Sequence, residues 1–177
     1  LRVGAGLVTL GAPGAAQAEC AAQLTAVMLR EIGEGDALAA ALEDRRLNAL
    51  CLGPGLGVDD RGAGLVAAAL ASGRATVLDA DALTLAADPE RGLVERLHAG
   101  CLLTPHMGEF ARLFPDLAER VAREAAEGYS RADAVRAAAA RAGCTVLLKG
   151  ADTFVADPSG GVALNAALYD RAAPWLA

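Results

Sequence analysis

Residues 48–83 read NALCLGPGLGVDDRGAGLVAAALASGRATVLDADAL, and this stretch decides the fold. Asn48 to Leu52 is a short apolar run that stops at Gly53-Pro54-Gly55-Leu56-Gly57, so it reads as a buried strand ending in a turn. Asp59 and Asp60 then open a helix through about Ala71, because acidic side chains suit a helix start. Ala75 to Leu78 is a second strand, followed by Asp79-Ala80-Asp81-Ala82-Leu83. A strand, a helix and a strand of this size make a βαβ unit, which implies parallel pairing.

The same alternation extends in both directions. Upstream, Gly6 to Leu10 reads as a strand, Pro13 to Leu24 as a helix, and Ala26 to Leu29 as a strand. Asp36 is placed to N-cap a helix running to about Arg45. Downstream, a helix near Gly92 to His98 leads to strand Cys101 to Leu103, then Thr104-Pro105-His106. A helix starts at Met107 or Gly108 and ends by Phe114. Ser130 and Asp133 have the spacing of a capping box for a helix through Ala142. Cys144 to Leu148 is a strand ending at Lys149-Gly150. Thr153 to Ala156 and Gly161 to Asn165 form a hairpin around Asp157-Pro158-Ser159-Gly160. The expected class is α/β with a mostly parallel central sheet, and residues 1–177 read as a single domain without an internal linker.

Composition narrows the function. The chain has 177 residues and a net charge of −6, which argues against a nucleic-acid-binding face. Cys20, Cys51, Cys101 and Cys144 are too scattered for a zinc site and read as free thiols of a cytoplasmic protein. No segment has the length and apolarity of a membrane span, and none reads as a signal peptide. About a quarter of the residues are alanine, and of 16 basic residues only Lys149 is a lysine. The run from Ala137 to Ala140 is read as helix propensity, Arg131, Arg136 and Arg141 as a solvated helix face, and Trp175 as a packing anchor.

Four clusters follow predicted strands, and ligands of such sheets bind beyond the carboxyl ends of the strands. Gly53 to Gly57 offers close backbone approach and the N–H groups of a helix start, or is simply a tight turn; it is not a Walker A loop. Asp79 and Asp81 are suited to holding metal-bound water or a proton, although Asp81 equally reads as a cap for Ala82 to Ala87. His106 and Glu109 are candidates for a polar ligand and for metal-bound water, or are ordinary first-turn residues. His98 is given at most a charge role at a helix end. Lys149-Gly150-Ala151-Asp152-Thr153 pairs a compact cation with a flexible turn, a combination suited to phosphate oxygens, or is a surface lysine entering the hairpin.

Taken together, Arg2 to Leu10 (RVGAGLVTL), Leu52 to Gly57 (LGPGLG), Val77 to Leu83 (VLDADAL), Leu103 to Leu113 (LTPHMGEFARL) and Val146 to Asp157 (VLLKGADTFVAD) resemble the ADP-dependent NAD(P)H-hydrate dehydratases of the ribokinase-like superfamily. The resemblance implies a three-layer αβα fold, present here as part of the domain. It implies an enzyme that repairs hydrated NADH and NADPH (NADHX and NADPHX), using ADP to dehydrate the S-form and releasing AMP and phosphate. By position, Gly55 and His106 would contact the hydrate, and Lys149, Gly150, Ala151, Asp152 and Thr153 the nucleotide. Glu109 matches the acidic member of the superfamily's Mg²⁺-associated NxxE motif, with His106 in place of the asparagine, and Asp79 would support Mg²⁺ through water. A fused epimerase domain and a homo-oligomeric assembly are also implied.

The family's Gly-Thr/Ser-Gly-Asp motif, source of its acid/base aspartate, is expected beyond Ala177, since Ala173-Pro174-Trp175-Leu176-Ala177 stands about where it would begin. The glycine-rich segment expected before Arg2 is absent too. The segment is therefore read as truncated at both ends and inactive by itself. Two alternatives stand beside this reading: a ribokinase-like kinase of a hydroxymethylpyrimidine or hydroxyethylthiazole, and a nucleotide-binding module without catalysis.

Overall fold

The structure, a computed structural model, describes residues 4–166. Its main sheet has six strands in the order β3 (Ala49–Leu52), β4 (Ala75–Leu78), β5 (Cys101–Leu103), β6 (Thr145–Leu148), β7 (Asp152–Ala156) and β8 (Val162–Ala166). The first four are parallel, and β7 and β8 fold back as the antiparallel hairpin expected around Asp157 to Gly160. A separate parallel pair joins β1 (Thr9–Ala12) to β2 (Met28–Glu31). The helices are α1 (Gln17–Gln23), α2 (Gly35–Ala41), α3 (Asp60–Ala71), α4 (Ala80–Ala86), α5 (Met107–Leu113), α6 (Pro115–Glu124) and α7 (Arg131–Ala142).

Consecutive parallel strands lie side by side, so every right-handed crossover falls on the same face of the sheet. Alternate side chains record this. Leu78, Leu103, Val146 and Leu148 are buried in one core with α3 to α7, including Phe110 and Phe114, whose rings sit 5.2 Å apart. Val77, Leu102 and Leu147, pointing the other way, are half-buried. The alanines of α7 do more than favour a helix: Ala134, Ala138 and Ala139 are fully buried, and their small size brings the helix close to β6 and β7. A second, smaller cluster joins Leu38 and Leu42 to Leu65 and Ala69 between α2 and α3.

Several local expectations need correction. β1 and β2 sit about two or three residues later than their apolar runs suggest; Leu10 and Met28 are exposed, and of the two strands only Ala12 is buried. Glu34, not Asp36, holds the N-cap position of α2, which ends at Ala41 rather than near Arg45. Gly92 to His98 is not a helix; 3-10 turns at Pro89–Arg91 and Val94–Arg96 take its place, broken by Gly92 at φ 56°. α6 was not foreseen. It buries only Leu117, carries Pro115 in its first turn, and is tied by Arg120–Glu124 and Arg123–Glu119 pairs. The supposedly solvated arginines also have structural partners: Arg141 forks onto Asp116 of α6, and Arg136 reaches Asp133 and the Gly160 carbonyl. The four cysteines are unpaired, and burial pushes the Cys144 thiol up to about 12. Among the described residues no helix is long and apolar enough to cross a membrane. Trp175 and the stretch Ala173 to Ala177 lie outside the described residues.

Candidate functional site

In-register pairing aligns Leu52, Leu78, Leu103 and Val146 in one row across β3 to β6. The residues that follow this row on the first three strands are Gly53, Asp79 and Thr104. All four clusters singled out in the sequence therefore emerge at one sheet edge. The chain after β5 continues alongside the chain after β6: His106 and Lys149 are backbone partners, and the Lys149 N–H donates to the Pro105 carbonyl at 2.8 Å. The proposed hydrate contact and the proposed nucleotide contact are neighbours for this reason.

Lys149 is not an ordinary surface lysine. Its Nζ donates to Asp79 Oδ1 at 2.7 Å, and both side chains are less than one-third accessible, at 29% and 28%. Burial pushes the Asp79 carboxyl up. The Lys149 ammonium, the Ala80 N–H and the Thr104 hydroxyl more than offset that and hold it below the usual carboxylate range. Asp79 occupies the N-cap position of α4 but its side chain makes no cap bond; it is spent on Lys149 instead. The next residue, Ala80, has φ 44°, a left-handed conformation that costs free energy for a residue with a Cβ.

The glycine loop is fixed from beneath. A Cβ at Gly53 would lie 1.8 Å from the Asp79 carbonyl oxygen, so only glycine lets the loop rest on the β4–α4 junction. The Gly57 N–H donates to Asp81 Oδ2 at 2.9 Å, and Arg61 donates to the Leu56 carbonyl at 2.6 Å. Asp81 is thus neither a helix cap nor a free carboxylate. The start of α3 is partly capped as well, since Asp59 Oδ1 accepts from the Gly62 N–H at 2.9 Å. Of the N–H groups expected to be offered to an anion here, those of Gly57 and Gly62 are thus already taken. Gly55 is different: at φ 69° it has nothing within 4 Å of where a Cβ would stand, so its surface is open to a ligand.

His106 and Glu109 form a capping box on α5. His106 Nδ1 accepts from the Gly108 N–H at 2.9 Å, and the His106 N–H donates to Glu109 Oε2 at 2.8 Å. With Nδ1 accepting, the neutral ring carries its hydrogen on Nε2, which lies 3.5 Å from Glu109 Oε1. The ring is 46% exposed while Glu109 is buried. The first-turn reading holds, and it leaves room for a ligand: Nδ1 caps the helix, Nε2 stands beside Glu109, and the ring is still half-exposed. His98 is in a loop, where its Nδ1 accepts from the Gly100 N–H at 3.2 Å.

Gly150 and Ala151 form the turn after β6, whereas Asp152 and Thr153 already belong to the β7 ladder. A Cβ at Gly150 would lie 4.0 Å from the Arg131 guanidinium, a second cation at this turn that the sequence reading left on a solvated face. Its signal was available: α7 starts just after the Ser130 cap, and a helix preceding β6 must begin at the same sheet edge. As for Mg²⁺, Asp79 is bound to Lys149 and Glu109 to the His106 backbone, and the described residues contain no group of three or more acidic, histidine or cysteine side chains able to hold a metal. This donor set does not fit direct coordination.

Comparison with known proteins now bears on the chain. The family model described as NAD(P)H-hydrate dehydratase matches residues 1–171. The chain is 44% identical over 122 residues to the bifunctional NAD(P)H-hydrate repair enzyme Nnr of Mycobacterium tuberculosis, covering 69% of this chain and 24% of that protein. It is 39% identical over 166 residues to the enzyme of the same name from Gloeobacter violaceus, covering 92% of this chain and 30% of the relative. It is 39% identical over 122 residues to the ADP-dependent (S)-NAD(P)H-hydrate dehydratase of Neisseria meningitidis, covering 67% and 39%. The chain thus spans between a quarter and two-fifths of the length of these relatives. Among solved structures, it superposes on a ribokinase-like superfamily protein of Enterococcus faecalis with a TM-score of 0.72 at 24% identity, over 92% of this chain and 53% of the other. The ADP/ATP-dependent NAD(P)H-hydrate dehydratase of Bacillus subtilis, co-crystallized with ATP/Mg²⁺ and soaked with CoA, gives 0.67 at 24%, over 93% and 56%. These likenesses show the three-layer α/β fold with a mostly parallel central sheet. With the model matching nearly end to end and the motifs gathered at one sheet edge, the chain belongs to the NAD(P)H-hydrate dehydratase family.

Proposed function

We propose that the protein containing this chain repairs hydrated NADH and NADPH, dehydrating the S-form with ADP as co-substrate. The observation that carries this reading is the adjacency of His106 and Lys149 on paired backbone at the end of a parallel sheet. A dehydration driven by a nucleotide needs the leaving hydroxyl and the nucleotide phosphates side by side. Transfer of the β-phosphoryl group of ADP to the ring hydroxyl oxygen releases AMP. Breaking the C–O bond then expels phosphate, and a proton leaves the neighbouring carbon to complete the ring double bond. Hydroxide is a poor leaving group, and phosphate is a better one.

In this scheme Gly55 and His106 hold the hydrate, His106 offering the Nε2 hydrogen to a polar group. Lys149 with the turn through Gly150, Ala151, Asp152 and Thr153 holds the nucleotide, and Lys149 exchanges part of its bond to Asp79 for phosphate oxygen. Mg²⁺ would accompany the nucleotide and screen its charge, and Asp79 and Glu109 would meet it through water. The acid/base aspartate is not among these residues. The curated relatives described as bifunctional support a fused second activity, taken here to be the epimerase. An intracellular location and an assembly of identical subunits belong to the same proposal.

The test is to incubate the full-length protein with NADHX, ADP and Mg²⁺ and follow NADH absorbance. Recovery is expected. Its absence, together with phosphorylation of a thiamine precursor, would move the protein to the small-molecule kinases, and nucleotide binding without turnover of either would make it a binding module. In the same assay Lys149→Ala should weaken ADP binding about ten- to a hundredfold, one hydrogen bond to a charged group being worth about 1.5–3 kcal/mol.

A further inference from the structure

The two carboxylates of Asp79-Ala80-Asp81 serve different ends of the site. Asp79 reaches across the sheet to Lys149, and Asp81 reaches back to Gly57. The left-handed Ala80 between them, at φ 44°, starts α4 directly behind Asp79 and brings Asp81 into its first turn beside the loop. The loop is held at both of its ends by this one tripeptide: Gly53 rests on the Asp79 backbone, and Gly57 is bonded to the Asp81 side chain. Within the loop the Leu56 N–H donates to the Gly53 carbonyl at 2.9 Å, and Pro54 has no N–H to offer. Gly55 is left as the presented residue.

We propose that Asp81 is a positioning residue with a second effect on specificity: it fastens the glycine loop so that Gly55 meets the hydrate, and its charge bars phosphate from that loop. A glycine-rich loop before a helix ordinarily invites an anion onto its N–H groups. Here the Gly57 N–H is already occupied by a carboxylate, Asp59 takes the Gly62 N–H behind it, and the guanidinium of Arg61 is engaged by the Leu56 and Gly33 carbonyls. Phosphate groups then belong at the Lys149–Thr153 turn, and the loop takes an uncharged portion of the dinucleotide, such as a hydrated ring. The proposal rests on the reading of Gly55 as a hydrate contact.

The experiment compares Asp81→Ala and Asp81→Asn in the full-length protein. Asp81→Ala should raise the KM for the hydrate about tenfold or more, the loss of one hydrogen bond to a charged group, with kcat and ADP affinity nearly unchanged and Tm lowered by only a few degrees. Asp81→Asn keeps an acceptor without the charge. It should restore the hydrate KM yet make inorganic phosphate a competitive inhibitor against the hydrate, which the parent protein does not show. A normal KM in Asp81→Ala, or a joint loss of ADP affinity and Tm, would overturn the positioning role; absence of phosphate inhibition in Asp81→Asn would overturn the charge role. If the parent protein shows no turnover of the hydrate, the functional reading fails instead. Amide hydrogen exchange at Gly57 then still decides the fastening: faster exchange in Asp81→Ala supports it, and unchanged exchange refutes it.

Discussion

Asp79 and Lys149 are 70 residues apart in sequence, and the bond between them links the ends of β4 and β6 across β5. A double-mutant cycle with Asp79→Asn and Lys149→Met measures that link. Met keeps the apolar stem while removing the charge. An exposed pair contributes about 0.2–1 kcal/mol, and a hydrogen bond to a charged group about 1.5–3 kcal/mol. At 2.7 Å with both side chains less than one-third accessible, this pair falls between those ranges. The expected coupling is about 1–2 kcal/mol, and each single variant should cost more than the coupling alone because it strands a partly buried charge. Urea unfolding at neutral pH supplies the four stabilities, from midpoints at a constant slope. The pH dependence gives a second reading. The folded-state pKa of Asp79 lies below its ordinary value, so the contribution is complete above about pH 4 and disappears as pH falls through the lowered value. The coupling should shrink in acid and be insensitive to pH above that window. A coupling close to zero at neutral pH, or one that persists unchanged in acid, would refute the reasoning.

Gly53→Ala places a Cβ 1.8 Å from the Asp79 carbonyl oxygen on a backbone at φ 145°. It should destabilise the protein by at least about 3 kcal/mol, whereas Gly55→Ala meets only open space and should cost about 1–2 kcal/mol while raising the hydrate KM; thermal unfolding and kinetics separate the two. His106→Ala removes an N-cap and should cost about 1 kcal/mol. His106→Asn should keep the cap and the Tm but lose hydrate affinity, and equal kinetics for parent and Asn variant would show that the ring serves only the helix.

How much of this was legible in sequence differs by element. β3 to β6 were readable within a residue or so, because each is a short apolar run closed by turn residues. The hairpin followed from Asp157 to Gly160, and the Ser130–Asp133 capping box from its spacing. β1 and β2 slipped because their paired segments begin inside their apolar runs and extend past them into Gly11-Ala12 and Arg30-Glu31. α6 escaped although Leu117, Ala118 and Val121 recur at helical spacing and pack on the core, because the stripe is short and sits among charged residues behind Pro115. The 92–98 segment misled for the converse reason, since its spacing fits a helix while Gly92 in a left-handed conformation ends the turn.

The sequence by itself determined the class of fold, the family and the place of every site cluster, because each of these depends on local period, punctuation and order along the chain. Only the tertiary structure decided what the side chains do there. Nothing local says that Asp79 reaches Lys149 while Asp81, two residues on, reaches Gly57, or that Gly53 must lack a side chain because Asp79 passes beside it. Those contacts are fixed by strand register and by the backbone turn at Ala80, which bring together groups separated by 24 to 70 positions.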